Sequence, residues 1–180
     1  MGIAIDTYAW MNSPLLPSLI EFITLLDGPS SAFLRLFKEE IGWRAKHSFD
    51  PVGPVYLGRL SIKEEAAGKA RVFAITDAIT QSVLKPLHDY LFSILKEIPM
   101  DGTFDQGAPL DRLLQLHRDG VLVGHKFHSF DLSAATDRLP IRLQRDILGY
   151  YTGTRIAELW ATLLTDRDWF LKRSPVTGAR

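Results

Sequence analysis

With 46% apolar and 23% charged residues in a chain of 180, the composition is that of an ordinary folded domain, far from the polar, highly charged profile of a disordered one. Lysine plus arginine and aspartate plus glutamate both number 21, so no global field gathers nucleic acid around the molecule and any such contact must be local. There is no cysteine, which excludes disulfides, thiolate zinc sites, iron–sulfur clusters and cysteine nucleophiles together.

Residues 1–13 carry no lysine or arginine and contain Asp6, unlike the charged front of a signal peptide or an Arg-rich transit peptide. No apolar run approaches the roughly 20 residues that span a bilayer, because charges such as Glu21, Asp27 and Arg35 interrupt each candidate. Residues 15–26 place Leu15, Leu16, Leu19, Ile20, Ile23 and Leu26 at helical spacing and stop at Asp27-Gly28-Pro29, a strong breaker. A second helix is expected from the Ser30-Ser31 cap through Phe33, Leu34 and Phe37 to Ile41-Gly42. The glycines and prolines of residues 43–58 then mark a boundary, dividing a helical extension at 1–50 from the remainder at 51–180.

Residues 56–62 and 71–76 are short and rich in β-formers, and residues 63–69 between them read as a loop. Asp77 is placed to cap a long helix whose stripe runs through Val83, Leu84, Leu87, Leu91, Ile94, Leu95 and Ile98. Pro86 either kinks that helix or restarts it. A short helix follows at 110–116, a short strand at 126–131, a helix beginning near Ser133, and a last amphipathic helix carrying Ile156, Leu159, Trp160, Leu163 and Leu164.

Two segments can carry chemistry. The first is Asp131-Leu132-Ser133-Ala134-Ala135-Thr136-Asp137-Arg138. A carboxylate at a strand end, followed by small residues that let another chain come close, suits a divalent-cation site; Asp131 or Ser133 equally suits a helix cap with Asp137 in the first turn. The second is Gly68-Lys69-Ala70-Arg71. In an extended segment Lys69 and Arg71 share a face, as a polyphosphate clamp requires, and as any solvated basic face also permits. His125 and His128 have the wrong spacing for a zinc-holding helix face. Trp160 belongs to its helix's apolar stripe, whereas Trp169 and Phe170 remain open to base stacking.

Taken in order, residues 68–81 (GKARVFAITDAITQ), 84–92 (LKPLHDYLF), 101–106 (DGTFDQ) and 129–140 (SFDLSAATDRLP) resemble mitovirus RNA-dependent RNA polymerases and the related fragments of plant mitochondrial and nuclear genomes. The resemblance covers about residues 55–165. It implies an α+β fold: a partial right-hand polymerase, fingers and part of the palm, mostly helical with a small incomplete β-sheet. In that family the basic segment is the fingers motif that contacts the nucleoside triphosphate, which maps onto Lys69 and Arg71. The later segment is the palm motif whose first aspartate binds catalytic magnesium and whose second lies near the nucleotide sugar. These map onto Asp131 and Asp137, with Ser133 beside the nucleotide.

The resemblance further implies Mg2+ as cofactor, RNA and nucleoside triphosphates as partners, and a mitochondrial location. The family's next motifs, a Gly-Gln-Pro-Met-Gly-Ala segment and a Gly-Asp-Asp turn, do not occur in these residues. The chain is therefore expected to be inactive alone, needing a second chain that carries the missing palm, or to be a non-enzymatic RNA- or nucleotide-binding remnant. The strand ending at Asp131 is expected to lack its usual neighbour.

Overall fold

The computed structural model describes residues 2–28, 31–47, 51, 53–64, 70–132 and 135–171, the side chains at 2, 136 and 137 apart. Residues 2–11, which carry no periodic signal, nonetheless form helix α1 (Gly2–Met11) and bury Thr7, Ala9 and Trp10. Tertiary packing, with Trp10 fully enclosed, supplies what the local pattern lacks. Helix α2 (Leu16–Asp27) follows, with Pro17 in its first turn and Gly28 ending it at φ 78°. Its core residues are Leu19, Phe22 and Ile23, so Phe22 joins the stripe read from the sequence.

The Ser31 hydroxyl caps α3 (Ala32–Lys46) by accepting the Leu34 N–H at 3.2 Å. The helix passes Gly42, where an end was expected. Glycine costs a helix interior about 1 kcal/mol, and here the Glu40–Arg44 pair, 2.6 Å across one turn, bridges the weak point.

Strands β1 (Gly58–Glu64) and β2 (Ala70–Thr76) pair antiparallel in the register Gly58↔Thr76 to Glu64↔Ala70. Residues 63 and 64, expected in a loop, therefore belong to the ladder. A two-residue strand β3 (Phe170–Leu171) pairs parallel to β1 and gives the order β2-β1-β3. Gly58 is required there: a Cβ would lie 2.7 Å from the Trp169 ring.

Helix α4 (Ala78–Lys96) runs on through Pro86 without restarting. Then come α5 (Ala108–Arg118), the short α6 (Ala135–Arg138), α7 (Ile141–Thr152) and α8 (Thr154–Thr165). Helices α7 and α8 form a hairpin about Gly153, whose φ of 90° a side chain would resist. Helix α8 packs on α2, and Arg155 reaches Glu21 with two hydrogen bonds of 2.6 Å. The chain forms two compact units, Met1–Val83 with Pro140–Arg180, and Leu84–Leu139. No helix among the described residues is long and apolar enough to cross a membrane.

The expected strand at 126–131 is not formed; these residues have no regular structure. A strand exists only where a neighbour completes its hydrogen bonds, and all three strands described lie in the first unit. Ser133, where a helix was to begin, lies outside the described residues, and the helix seen next starts at Ala135.

One buried cluster joins four stretches of the first unit. The Asp77 Oδ1 accepts the Trp10 indole N–H and the Thr80 N–H, each at 2.9 Å, and Oδ2 accepts the Thr80 hydroxyl. Arg167 faces this carboxylate at 3.2 Å, both side chains being about 1% exposed. Its remaining donors go to the carbonyls of Leu163 (2.6 Å) and Leu57 (2.9 Å) and to the Thr80 oxygen. Burial lowers the Arg167 pKa, and the Asp77 charge works against that shift. Asp77 is thus the helix cap expected of it and also half of a buried ion pair. Replacing Arg167 with alanine strands a buried carboxylate and is expected to destabilise the chain by about 3–5 kcal/mol. Urea unfolding checks this, and a loss below about 1 kcal/mol would show that water or a neighbour takes over the arginine's part.

Candidate nucleotide-contacting residues

The β1–β2 register decides which side chains share a face. Residues two apart in a strand point the same way, and directly paired residues lie side by side. Arg59, Ser61 and Lys63 of β1 therefore share one face with Ile75, Phe73 and Arg71 of β2, Lys63 standing directly opposite Arg71. The other face carries Leu60, Ile62, Val72 and Ala74. Arg59, Lys63, Arg71 and Phe73 are all exposed. Like charges directly opposite one another on a sheet repel, and an anion placed between them turns the arrangement favourable.

Lys69, expected beside Arg71, lies outside the described residues. Lys63 and Arg59 had not been singled out. The signal was available: closing a hairpin about residue 67 sets Lys63 and Arg71 at equal distance from the turn, hence opposite each other. Reading 63–69 as a loop concealed it.

Asp131 is exposed and makes no described hydrogen bond or ion pair, in an irregular stretch of the second unit. Nearby ring contacts join His117 to Phe127 and His128 to Phe130. Asp137 lies on α6, its side chain outside the described set, and Ser133 is outside it altogether. Arg71 and Asp131 belong to different units, each with its own packing. Among the described residues no three His, Asp or Glu side chains converge on a point that would hold an ion. One exposed carboxylate is fewer ligands than a pair of magnesium ions requires, so Asp131 by itself does not fit such a pair and no chemical step is derived through one.

The aromatic residues near the end resolve differently from one another. Trp160 is half-buried on α8, and Trp169 lies against Gly58. The Phe170 ring stacks on Tyr56 at 4.8 Å and 12°.

A carboxylate missed in the sequence stands at the start of α4. Asp6 reaches from α1 and accepts the Ala78 N–H at 3.0 Å. Its pKa is raised from the ordinary 3.8, chiefly by desolvation and further by the nearby Asp77 charge, with the Ala78 hydrogen bond opposing both. A carboxyl whose pKa rises on folding stabilises the fold below its unfolded pKa, and that contribution disappears as pH climbs through the folded value. Asp6→Asn keeps an acceptor for Ala78 and removes the charge. It is expected to raise the melting temperature at neutral pH, with the advantage shrinking in acid; a melting temperature lowered equally at both pH values would contradict the assignment.

The family model described as Mitovirus RNA-dependent RNA polymerase matches residues 1–177.

The chain belongs to that family.

Among its relatives, the RNA-directed RNA polymerase of Cryphonectria parasitica mitovirus 1 (strain American chestnut tree/New Jersey/NB631) is 44% identical over 108 residues, 60% of this chain and 13% of the relative. An uncharacterized mitochondrial protein of Arabidopsis thaliana, AtMg01110, is 38% identical over 65 residues, 36% of this chain and 24% of the relative. This mitovirus-family chain thus matches only a minor part of each relative's length. No solved structure matches it significantly.

Proposed function

We propose that the chain supplies the fingers and the first part of the palm of an RNA-dependent RNA polymerase, and that these residues alone do not polymerise. The observation that carries the reading is the cross-strand pairing of Lys63 with Arg71, with Arg59 on the same face, in a chain of this family. Three cations on a twisted two-stranded platform meet the several oxygens of a polyphosphate better than one cation does, and Phe73 between them offers a ring to a base. Lys69, two residues before Arg71 in the sequence, adds a further cation to this reading.

Within this reading Asp131 is one magnesium ligand, Asp137 lies near the sugar and Ser133 lines the nucleotide's approach. The remaining ligands come from a Gly-Asp-Asp turn outside these residues, which lack one. The setting is mitochondrial, in keeping with the mitovirus relative and the mitochondrial protein of Arabidopsis.

Mixed with a polypeptide that carries the complementary palm, the chain is expected to incorporate nucleotides with Mg2+. Neither part does so alone, and Asp131→Ala abolishes incorporation by the mixture. Full activity of the Asp131→Ala mixture would remove this residue from the reaction.

A second reading follows from the same basic face: a non-enzymatic remnant that binds RNA or nucleotide through Lys63, Lys69 and Arg71. Both readings require salt-dependent affinity for RNA. Removing two phosphate contacts in a Lys63→Ala/Arg71→Ala protein is expected to flatten the slope of log affinity against log salt by about 1 to 2. An unchanged slope in filter-binding titrations places the RNA elsewhere.

A further inference from the structure

The cavity lined by Asp6 is made by α1 at residues 4–6, the connection at 51 and 53–57, the joined ends of β1 and β2, and the first turn of α4. Its volume, about 830 Å3, lies in the range of small-molecule sites, roughly 300–1,000 Å3. All of it belongs to the first unit.

Three features of its wall define a ligand. Tyr56 and Phe170 stack on each other yet remain 41% and 40% exposed, which leaves ring surface for a flat heterocycle. Asp6 uses only Oδ2, towards Ala78, and no described hydrogen bond goes to Oδ1. Arg59 stands on the same wall, exposed.

The Asp6 charge calls for an explanation. A neutral amide would also accept the Ala78 N–H, if less strongly, and would avoid the desolvation and the repulsion from Asp77 that the carboxylate meets. A charge that the fold would be better without, set in a cleft, is how binding groups are often held.

We propose that this cavity binds a guanine nucleotide: the Asp6 carboxylate accepts the N1–H and the 2-amino group of the base, the Tyr56–Phe170 pair stacks with the ring, and Arg59 meets the phosphate. Guanine alone among the four bases presents two adjacent donors to a two-oxygen acceptor. Adenine and cytosine set a ring lone pair beside their amino group, and uracil flanks its N–H with two carbonyls, so each turns an acceptor toward the carboxylate.

A site selective for one base cannot be where a template-directed polymerase takes up all four nucleotides. The proposal therefore goes beyond the reading above: it uses neither Asp131 nor the Lys63–Arg71 pair and shares Arg59 alone with the basic face.

Isothermal titration of the whole chain with GMP, AMP, CMP and UMP tests it. GMP is expected to bind about ten- to a hundredfold more tightly than the others, the span of a charged hydrogen bond. Asp6→Asn, a variant expected to be at least as stable as the parent, should abolish the preference, and Tyr56→Ala should weaken GMP at least severalfold. Equal affinity for the four nucleotides, or a guanine preference that survives Asp6→Asn, overturns the proposal. Inorganic triphosphate, which has no base, reads the basic face, and the loss of its binding in a Lys63→Ala/Arg71→Ala protein separates that face from Arg59, which lies on both. Triphosphate binding without any guanine preference would sink this site and leave the polymerase reading standing; guanine preference without triphosphate binding would do the reverse.

Discussion

The pairing of Asp77 with Arg167 is the constraint on which the first unit turns. Asp77 ends the hairpin and caps α4, Arg167 follows α8, and Trp10 reaches the same carboxylate from α1. Residues separated by 90 positions are thereby tied at one buried point. Two charges taken out of water are costly unless every donor and acceptor is met. Here they are met: among the described residues no buried side-chain polar atom is left without a partner. Such a cluster adds little to net stability compared with an apolar core, but it tolerates one arrangement only, which is how it fixes the hairpin against the helices.

That anchoring has a consequence for the hairpin's basic face. With Asp77 held and its N–H bonded to the Leu57 carbonyl, the two strands leave the core in a set register, and a one-residue slip would turn Arg71 to the opposite face. The cations at 59, 63 and 71 keep their common side because the end of the ladder is pinned. Trp169 against Gly58, with Phe170 pairing to Arg59, holds the outer side of β1. The same pinned end forms part of the wall of the Asp6 cavity, so one buried ion pair underlies both the basic face and that cavity.

The second unit is built on different terms. Helix α5 has no buried residue, and among the unit's described contacts are the ring pair Phe92–Phe104 and exposed polar pairs such as Lys85–Asp89 and Gln115–Asp119. Asp131 sits in this loosely packed part, on backbone with no strand partner. A carboxylate that must hold an ion within tenths of an ångström needs a rigid support, and the described residues of this unit do not provide one. In the proposed reading, the support that Asp131 lacks here would come from palm residues outside this segment, which matches small fractions of its relatives' lengths.

The sequence by itself determined the family and most of the helices. Periodicity marked α2 and α8, Ser31 marked the start of α3, Asp77 announced α4, and the ordered segments from residue 68 to 140 carried the polymerase resemblance. Those signals are local, a face repeating at helical spacing or a cap one turn from its amide, and need no knowledge of what packs where. What the tertiary structure decided is of another kind. Helix α1 has no amphipathic stripe and exists because Trp10 finds Asp77 across 67 residues; residues 126–131 carry Phe127 and Phe130 yet pair with no strand among the described residues. Lys63 opposite Arg71, Asp6 at the Ala78 amide and Phe170 on Tyr56 are juxtapositions of distant positions, each invisible from either partner alone, because a contact across the chain is a property of the closed fold.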